Sequence, residues 1–229
     1  MATAIVTGGS KGLGLALSRA LTQLGWHVVI DGRDPDALRR AAEELGELVV
    51  AVGGDVTDPA HRQALVDAAR ATGRLDLLVN NASTLGPLPM PALDSYPLDG
   101  WRDTFETDVV APLALTQLSL DLLRAAEGRI VNVTSDAGVE GYEGWGGYGS
   151  AKAALEQLSR VLAAEHPEIG VYWVDPGDMR TEMHQDAFPG EDISDRPLPE
   201  TSVPGLLALV LGDYPSGRYL AREIATVAS

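Results

Sequence analysis

Short apolar runs alternate along this chain with longer stretches in which apolar residues recur every three or four positions. An unbroken apolar run is typical of a parallel strand, because such a strand is covered on both faces. Strands are predicted at 2–7, 27–30, 48–52, 75–79, 128–134 and 170–174, and around Tyr219. Helices are predicted from the recurring pattern at 13–24, 36–45, 59–72, 98–126, 148–165 and 205–211. Strands that alternate with helices indicate an α/β fold with a doubly wound parallel sheet of about seven strands.

The connections suggest that one sheet accounts for the chain. A loop rich in Pro and Gly covers about 83–97, and residues 176–204 form an irregular segment rich in Pro and Asp. Neither has the length or composition of a linker, and we find no repeat. A chain of 229 residues also suits one domain of ordinary size. We therefore interpret 1–229 as a single domain with helices on both faces of the sheet.

Charge and residue usage narrow the classes of function. Lys and Arg number 17 against 33 Asp and Glu, which gives a net charge of −16. Such a surface repels phosphate backbones and anionic lipids, so we expect neither nucleic-acid nor membrane binding. The absence of cysteine excludes disulfides and thiol nucleophiles. The chain opens on an apolar strand without a basic segment, and residues 206–211 are too short to cross a bilayer, so we expect a cytoplasmic protein.

The first strand ends in a glycine-rich turn with the sequence Thr-Gly-Gly-Ser-Lys-Gly-Leu-Gly. Gly8, Gly12 and Gly14 have the spacing G-x-x-x-G-x-G, and Ser10, Lys11 and Leu13 lie among them. Glycine is needed where the backbone turns sharply and approaches a pyrophosphate at a helix N-terminus. The turn therefore predicts a dinucleotide site, although a purely structural turn has the same pattern.

Residues 8–12 also match G-x-S-x-G, the nucleophile elbow of serine hydrolases. The elbow would follow the first strand, which leaves no earlier strand to supply an oxyanion loop. Only His166 and His184 lie late enough to serve as a base, and neither has a distinctive context. The four histidines are scattered and none has metal-ligand spacing, so we predict no metal site.

Charges after the second strand bear on the choice of dinucleotide. Asp31 at the strand end favours NAD(H), because an acidic residue there receives ribose hydroxyls. Arg33 follows it, and Lys11 lies in the glycine turn. Two cations beside one ribose favour the 2′-phosphate of NADP(H). We predict that NADP(H) is preferred and that NAD(H) remains an alternative.

Further motifs follow successive strands, and together they resemble the short-chain dehydrogenase/reductase family, in its short single-domain form with a Rossmann fold. The resemblance covers nearly the whole chain, and the spacing of Ser135 and Tyr148 is typical of the family. The family's cofactor-contact motifs match Asp55-Val56, Asn81-Ala82, Pro176-Gly177 and Thr181, and its Tyr-x-x-x-Lys pair matches Tyr148 and Lys152.

The resemblance implies a reaction and roles for these residues. It implies hydride transfer between a carbonyl and an alcohol, with Tyr148 as general acid/base. Lys152, four residues later on the same helix face, would favour the phenolate and hold the ribose, and Ser135 would hold the substrate oxygen. A tyrosine suits this task if its pKa falls toward working pH. The resemblance also implies a small-molecule substrate, a lid at about 178–200, and a homodimer or homotetramer.

Two residues depart from the family's pattern. Asp108 stands where the family usually has an asparagine of the proton relay, and Ser83 replaces the glycine after Asn81-Ala82. A carboxylate at 108 either pairs with Lys152 and stabilises its ammonium, or captures it and disturbs the relay. Two alternatives therefore stay open: a dinucleotide-binding sensor or scaffold with weak catalysis, and a non-redox use of the same site.

Overall fold

A computed structural model describes residues 1–224, so residues 225–229 of the predicted domain lie outside it. Seven parallel strands form one sheet, as predicted, and their order is β3-β2-β1-β4-β5-β6-β7. The strands are β1 (Thr3–Val6), β2 (His27–Gly32), β3 (Val49–Gly53), β4 (Leu77–Asn80), β5 (Arg129–Val133), β6 (Gly170–Asp175) and β7 (Gly217–Leu220). The helices are α1 (Gly12–Gln23), α2 (Pro35–Leu45), α3 (Pro59–Ala71), α4 (Leu98–Phe105), α5 (Ala111–Ala126), α6 (Gly146–Glu165), α7 (Glu182–Ala187) and α8 (Val203–Leu211).

Helices cover both faces of the sheet because alternate strand residues point to opposite sides. Ala4 and Val6 of β1 join the apolar residues of α1, α2 and α8, whereas Ile5 joins those of α3, α5 and α6. β1 and β4 are neighbours near the middle of the sheet. From β1 the sheet continues through β2 and β3 to one edge, and from β4 it continues through β5, β6 and β7 to the other, so the strand order reverses between β1 and β4. In such a sheet, ligands bind at the carboxyl ends of the strands near this reversal.

The predicted helix at 98–126 is not regular throughout. Between α4 and α5, residues Glu106–Val110 form a short π-helical segment. Pro112 follows in the first turn of α5, and its nitrogen cannot donate to the carbonyl of Asp108 four residues earlier. Such π segments are frequent at functional sites. The irregularity here falls on Asp108, one of the two departures noted above.

By length and composition alone, the stretch Leu98–Ala126 is apolar enough to cross a membrane. In the structure it is part of the helical layer on one face of the sheet. Leu115 and Leu123 of α5 are buried in the core, while Leu118 and Val110 are exposed. The expectation of no membrane binding stays a prediction.

The segment 176–204 contains more regular structure than its composition suggests. Thr181 caps α7 by accepting a hydrogen bond from the amide of His184. Pro199–Thr201 form one 3₁₀ turn. This segment lies beside the carboxyl ends of the strands, where it lines the cleft described next.

Candidate functional site

One cleft at the carboxyl ends of the strands brings together most of the predicted site residues. They arrive from the turn after β1, the ends of β2 to β6, the first turns of α6, and the segment before α7. The cleft is lined by Gly8, Ser10, Lys11, Gly12, Leu13, Arg33, Asp55, Val56, Asn81, Ala82, Ser135, Tyr148, Lys152, Pro176, Gly177 and Thr181. Gly14 and Asp108 are not on its wall and lie behind it.

The glycine turn fits a bound pyrophosphate. The side chain of Asp34 caps α2 and that of Asp58 caps α3, whereas no side chain caps the N-terminus of α1 at Lys11. The first amides of a helix need an acceptor, and they attract anions when no side chain supplies one. The uncapped end of α1 faces the cleft through Gly12 and Leu13.

Two glycines in this turn are required for different reasons. Gly12 has a φ of 56°, in the left-handed region that favours glycine. At Gly14, an added Cβ would lie 2.4 Å from the Gly8 carbonyl oxygen and 2.7 Å from Asn81 Nδ2. Gly14 therefore contributes by allowing α1 to pack closely, and the wall of the cleft is formed by its neighbours.

Asn81 fixes the shape of the turn. Its Nδ2 donates to the Thr7 carbonyl at 2.7 Å, and the amides of Asn81 and Ala82 donate to Thr7 Oγ1 at 2.9 and 3.0 Å. These bonds tie the end of β4 to the end of β1. The turn is therefore held in place before any ligand binds.

The sequence suggested that Asp31 lies at the tip of β2. In the structure it lies within the strand, one residue before its end. Its side chain is 2% exposed, Oδ1 accepts the Gly8 amide at 2.6 Å, and Oδ2 lies 3.0 Å from Nε2 of buried His61. A carboxylate engaged on both oxygens supports the turn and is poorly placed to bind ribose hydroxyls. Asp31 borders the cleft, but it would have to give up one of these partners to bind a ribose hydroxyl, which weakens the argument that it favours NAD(H).

The two cations beside the predicted ribose site are exposed and paired with acids. Lys11 contacts Glu182 on α7, and Arg33 lies 3.9 Å from Asp55. Arg33 and Lys11 keep most of their side-chain surface, with 74% and 67% exposed. Exposed ion pairs are weak, so both cations can exchange these partners for a phosphate.

Ser135, Tyr148 and Lys152 are placed by β5 and α6. Ser135 follows β5, and Tyr148 and Lys152 lie one turn apart on α6. Lys152 Nζ donates to the Val133 carbonyl at 3.0 Å and lies 5.3 Å from the centroid of the Tyr148 ring. Both side chains are nearly buried, at 8% and 2% exposed.

The surroundings of Tyr148 shift the pKa of its phenol in both directions. Burial raises the pKa of the Tyr148 phenol well above its ordinary value, and the nearby charge of Asp108 raises it further. A hydrogen bond with Ser135 acts in the opposite direction. The net direction of the pKa is upward, opposite to the decrease that the sequence analysis expected for a general acid/base.

Asp108 pairs with Lys152, which is one of the two arrangements considered from the sequence. Its Oδ2 lies 3.6 Å from Lys152 Nζ and accepts the Ser83 hydroxyl at 2.7 Å. Its Oδ1 accepts the amide of Thr84 at 2.9 Å. Burial raises the pKa of Asp108 above its ordinary value, while Lys152, Ser83 and Thr84 oppose that increase.

Aromatic and apolar side chains form the wall next to Tyr148. The Trp145 ring lies 5.8 Å from the Tyr148 ring and 5.8 Å from that of Phe188. Met183 of α7 packs in the same cluster as Leu85. Trp145, just before α6, and the segment 178–200 thus contact each other beside Tyr148.

Sequence reasoning missed a group of charged residues beneath this wall. Arg218 of β7 donates to Glu156 at 2.9 Å, to Asp175 at 3.3 Å and to the Ser135 carbonyl at 3.4 Å. Asp136 accepts the hydroxyls of Ser135 and Tyr142 at 2.9 and 3.0 Å. The signal in the sequence that could have revealed this group was the position of Glu156, two turns after Tyr148 on α6.

Neither histidine considered for a serine hydrolase is positioned to serve Ser10. His166 contacts Arg124, and His184 contacts Arg196. Ser10 itself lies against Gly32 of β2. Within residues 1–224, we find no group of three or more side chains that are suited to hold a metal.

Comparison with known proteins places the chain among oxidoreductases. Residues 2–192 match the sequence profile of the short chain dehydrogenase family. The rhamnolipids biosynthesis 3-oxoacyl-[acyl-carrier-protein] reductase of Pseudomonas aeruginosa is 37% identical over 79% of this chain and 73% of its own length. The L-fucose dehydrogenase of Rattus norvegicus is 32% identical over 80% of this chain and 67% of its own length.

Solved structures agree with these relatives. The KRED1-Pglu enzyme superposes with a TM-score of 0.87 and 30% identity, over 96% of this chain and 100% of that one. A short chain dehydrogenase from Shigella flexneri, complexed with NADP, has a TM-score of 0.88 and 28% identity, over 96% of both chains. Fold, motif order and relatives agree, and the chain belongs to the short-chain dehydrogenase/reductase family of NAD(P)-dependent oxidoreductases.

Proposed function

We propose that this enzyme interconverts a carbonyl and an alcohol with NADP(H) as the preferred dinucleotide and Tyr148 as general acid/base. The observation that carries the proposal is the convergence of Ser135, Tyr148 and Lys152 on one cleft that begins at an uncapped helix N-terminus. The bound dinucleotide supplies or accepts the hydride. The protein's own task is to orient the substrate and move one proton.

The residues of the glycine turn would hold the pyrophosphate, and Lys152 would hold the ribose next to the nicotinamide. Lys11 and Arg33 would turn to the 2′-phosphate. Both now contact carboxylates on the rim of the cleft, and a phosphate is the stronger hydrogen-bond acceptor for them. The burial of Asp31 against Gly8 and His61 supports NADP(H), since it engages the acid that would otherwise select NAD(H).

Tyr148 would supply the proton when a carbonyl is reduced. The developing alkoxide needs a proton, and the Tyr148 phenol lies in the cleft beside Ser135 and Lys152. Ser135 would hydrogen-bond the same oxygen and fix its position. Trp145, Met183 and Leu85 line the cleft beside Tyr148 and would pack against the rest of the substrate, which points to a carbonyl compound with an apolar body.

The segment 178–200 acts as the substrate lid over the cleft. Two copies pair through the outer faces of α5 and α6, where Leu118 and Val161 are 37% and 45% exposed. The enzyme acts in the cytoplasm.

Replacing Tyr148 by Phe tests the reaction. The variant keeps the ring packed against Trp145 and loses the proton, so turnover should fall by about 10²-fold or more while NADP(H) binding persists. Turnover is followed by dinucleotide absorbance on a panel of apolar ketones and aldehydes. A Phe variant that works at the parental rate contradicts the assigned role of Tyr148.

The cofactor preference has its own test. The double variant Lys11→Ala, Arg33→Ala should weaken NADPH by about 10²-fold or more and NADH much less, since each charge-assisted contact contributes roughly 1.5–3 kcal/mol. Arg39→Ala, which removes an exposed cation paired with Glu43 on α2, is the matched control. Equal losses for both dinucleotides would mean that Lys11 and Arg33 do not read the 2′-phosphate.

The Asp108–Lys152 pair favours a second candidate, a dinucleotide sensor with little turnover. A buried carboxylate 3.6 Å from Lys152 competes for the ammonium that the reaction needs. Tight NADP(H) binding by the parent, without turnover on the carbonyl panel, would support this candidate.

A further inference from the structure

The two departures from the family's pattern contact each other. Ser83 follows β4 and Asp108 lies in the π segment, 25 residues later. Their side chains meet at 2.7 Å, with the Ser83 hydroxyl donating to Asp108 Oδ2. Glycine at position 83 would have no hydroxyl to donate. The serine and the aspartate therefore form one matched pair.

The Asp108 carboxylate is contacted by three groups that can donate a hydrogen bond. Oδ1 receives the Thr84 amide, and Oδ2 receives the Ser83 hydroxyl and faces Lys152 Nζ at 3.6 Å. An amide in this position keeps one acceptor oxygen, so its NH₂ group would face either the Thr84 N–H or the side shared by the Ser83 hydroxyl and the Lys152 ammonium. The surroundings are therefore suited to a charged carboxylate.

Burial opposes that charge. Asp108 has no exposed surface, and its burial raises the pKa of the carboxyl, whereas the ammonium of Lys152 and the hydrogen bonds from Ser83 and Thr84 lower it. Thr84 donates through its backbone and Lys152 also serves the Val133 carbonyl. Ser83 is thus the one neutral side chain among these three donors. Removing its hydroxyl should raise the pKa of Asp108 and favour the protonated carboxyl.

The charge of Asp108 acts on Tyr148. Among the charged groups near the phenol, Asp108 has the largest effect, and Asp175 and Asp136 act in the same direction. Lys152, 5.3 Å from the ring centroid, is the cation that faces it. A neutral Asp108 would therefore let Tyr148 release its proton at lower pH.

We propose that Ser83 is a positioning residue that keeps the Asp108 carboxylate charged and facing Lys152, and that it thereby sets the pH range in which Tyr148 exchanges its proton. This inference rests on the proposed function for Tyr148. Ser83 acts through Asp108, without a step of its own in the reaction.

The test removes the hydroxyl with and without the carboxylate. Ser83→Ala and Ser83→Gly are compared with the parent, and Ser83→Ala is also made in Asp108→Asn. Ser95→Ala, which removes an exposed hydroxyl that bonds the Ala92 carbonyl, is the matched control. The carboxyl carbon resonance of Asp108, assigned by its loss in Asp108→Asn, is titrated by NMR. Alcohol oxidation is measured against pH with saturating NADP⁺.

In Ser83→Ala and Ser83→Gly, the pKa of Asp108 should lie about one pH unit or more above its value in the parent. Alcohol oxidation needs the Tyr148 phenolate. The rising limb of its pH–rate profile should therefore move to lower pH, by about half a unit or more. In Asp108→Asn, the Ser83→Ala change should move the limb no further. Ser95→Ala should match the parent in both measurements.

Three results would overturn the inference. The first is an Asp108 pKa that stays the same in Ser83→Ala and Ser83→Gly. The second is a shifted Asp108 pKa with an unchanged pH profile of alcohol oxidation. The third is a Ser83→Ala shift of that profile that is equally large in the Asp108→Asn background. If the parent shows no turnover, the proposed function fails by itself. The Asp108 titration then still decides whether Ser83 maintains the charge.

Discussion

His61 offers a sharp test of how the dinucleotide turn is supported. The ring is 6% exposed, its Nε2 lies 3.0 Å from Asp31 Oδ2, and Asp31 Oδ1 accepts the Gly8 amide at 2.6 Å. This chain of contacts runs from α3 through β2 to the glycine turn. We predict that His61→Ala destabilises the fold and loosens the turn together.

The magnitude follows from two losses. One is a hydrogen bond to a buried carboxylate, which contributes about 1.5–3 kcal/mol. The other is the packing of a ring so close to Gly54 that a Cβ there would lie 2.3 Å from Nδ1 of His61. Together we expect a loss of about 2–4 kcal/mol, or roughly 5–15 °C in Tm for a chain of this length. Dinucleotide affinity should fall about tenfold or more.

Urea unfolding and a binding titration with NADPH measure both effects. His166→Ala is the matched control, because His166 lies at the far end of α6 beside Arg124. Asp31→Ala, alone and with His61→Ala, completes a double-mutant cycle, and the double variant should cost less than the sum of the single ones. Additive costs, or an unchanged NADPH affinity in His61→Ala, would refute the proposed support of the turn.

Three further outcomes are expected. Gly14→Ala places a Cβ 2.4 Å from the Gly8 carbonyl oxygen and should cost about 1–3 kcal/mol in urea unfolding, with weaker NADPH binding. Arg218→Ala leaves Glu156 and Asp175 with less compensation and should cost at least about 2 kcal/mol, with a lower kcat because Ser135 loses a backbone contact. The folded-state pKa of Asp108 is raised, so the folded protein holds this proton more strongly and the parent loses stability as pH rises from the unfolded pKa through the folded one. Unfolding free energies measured across pH should lack this contribution in Asp108→Asn.

The fold could be predicted from local patterns. Apolar runs and helical spacing depend on residues a few positions apart, and they located all seven strands and most of the helices, but they missed α7 and the break between α4 and α5. The parallel sheet then brought the strand ends to one edge, as Gly12, Asn81 and Ser135 illustrate. The resemblance to the short-chain dehydrogenase/reductase family was confirmed by the family match over residues 2–192.

Only the tertiary structure decided how the charged residues are paired. The sequence placed Asp31 beside a ribose, whereas in the structure its carboxylate contacts buried His61, 30 residues later. Lys11 meets Glu182 and Ser83 meets Asp108 through contacts between distant parts of the chain. Periodicity reports which face of an element is buried, because that depends on the repeat of one helix or strand. Which buried charges meet depends on how separate elements pack, and no local pattern along the chain contains that information.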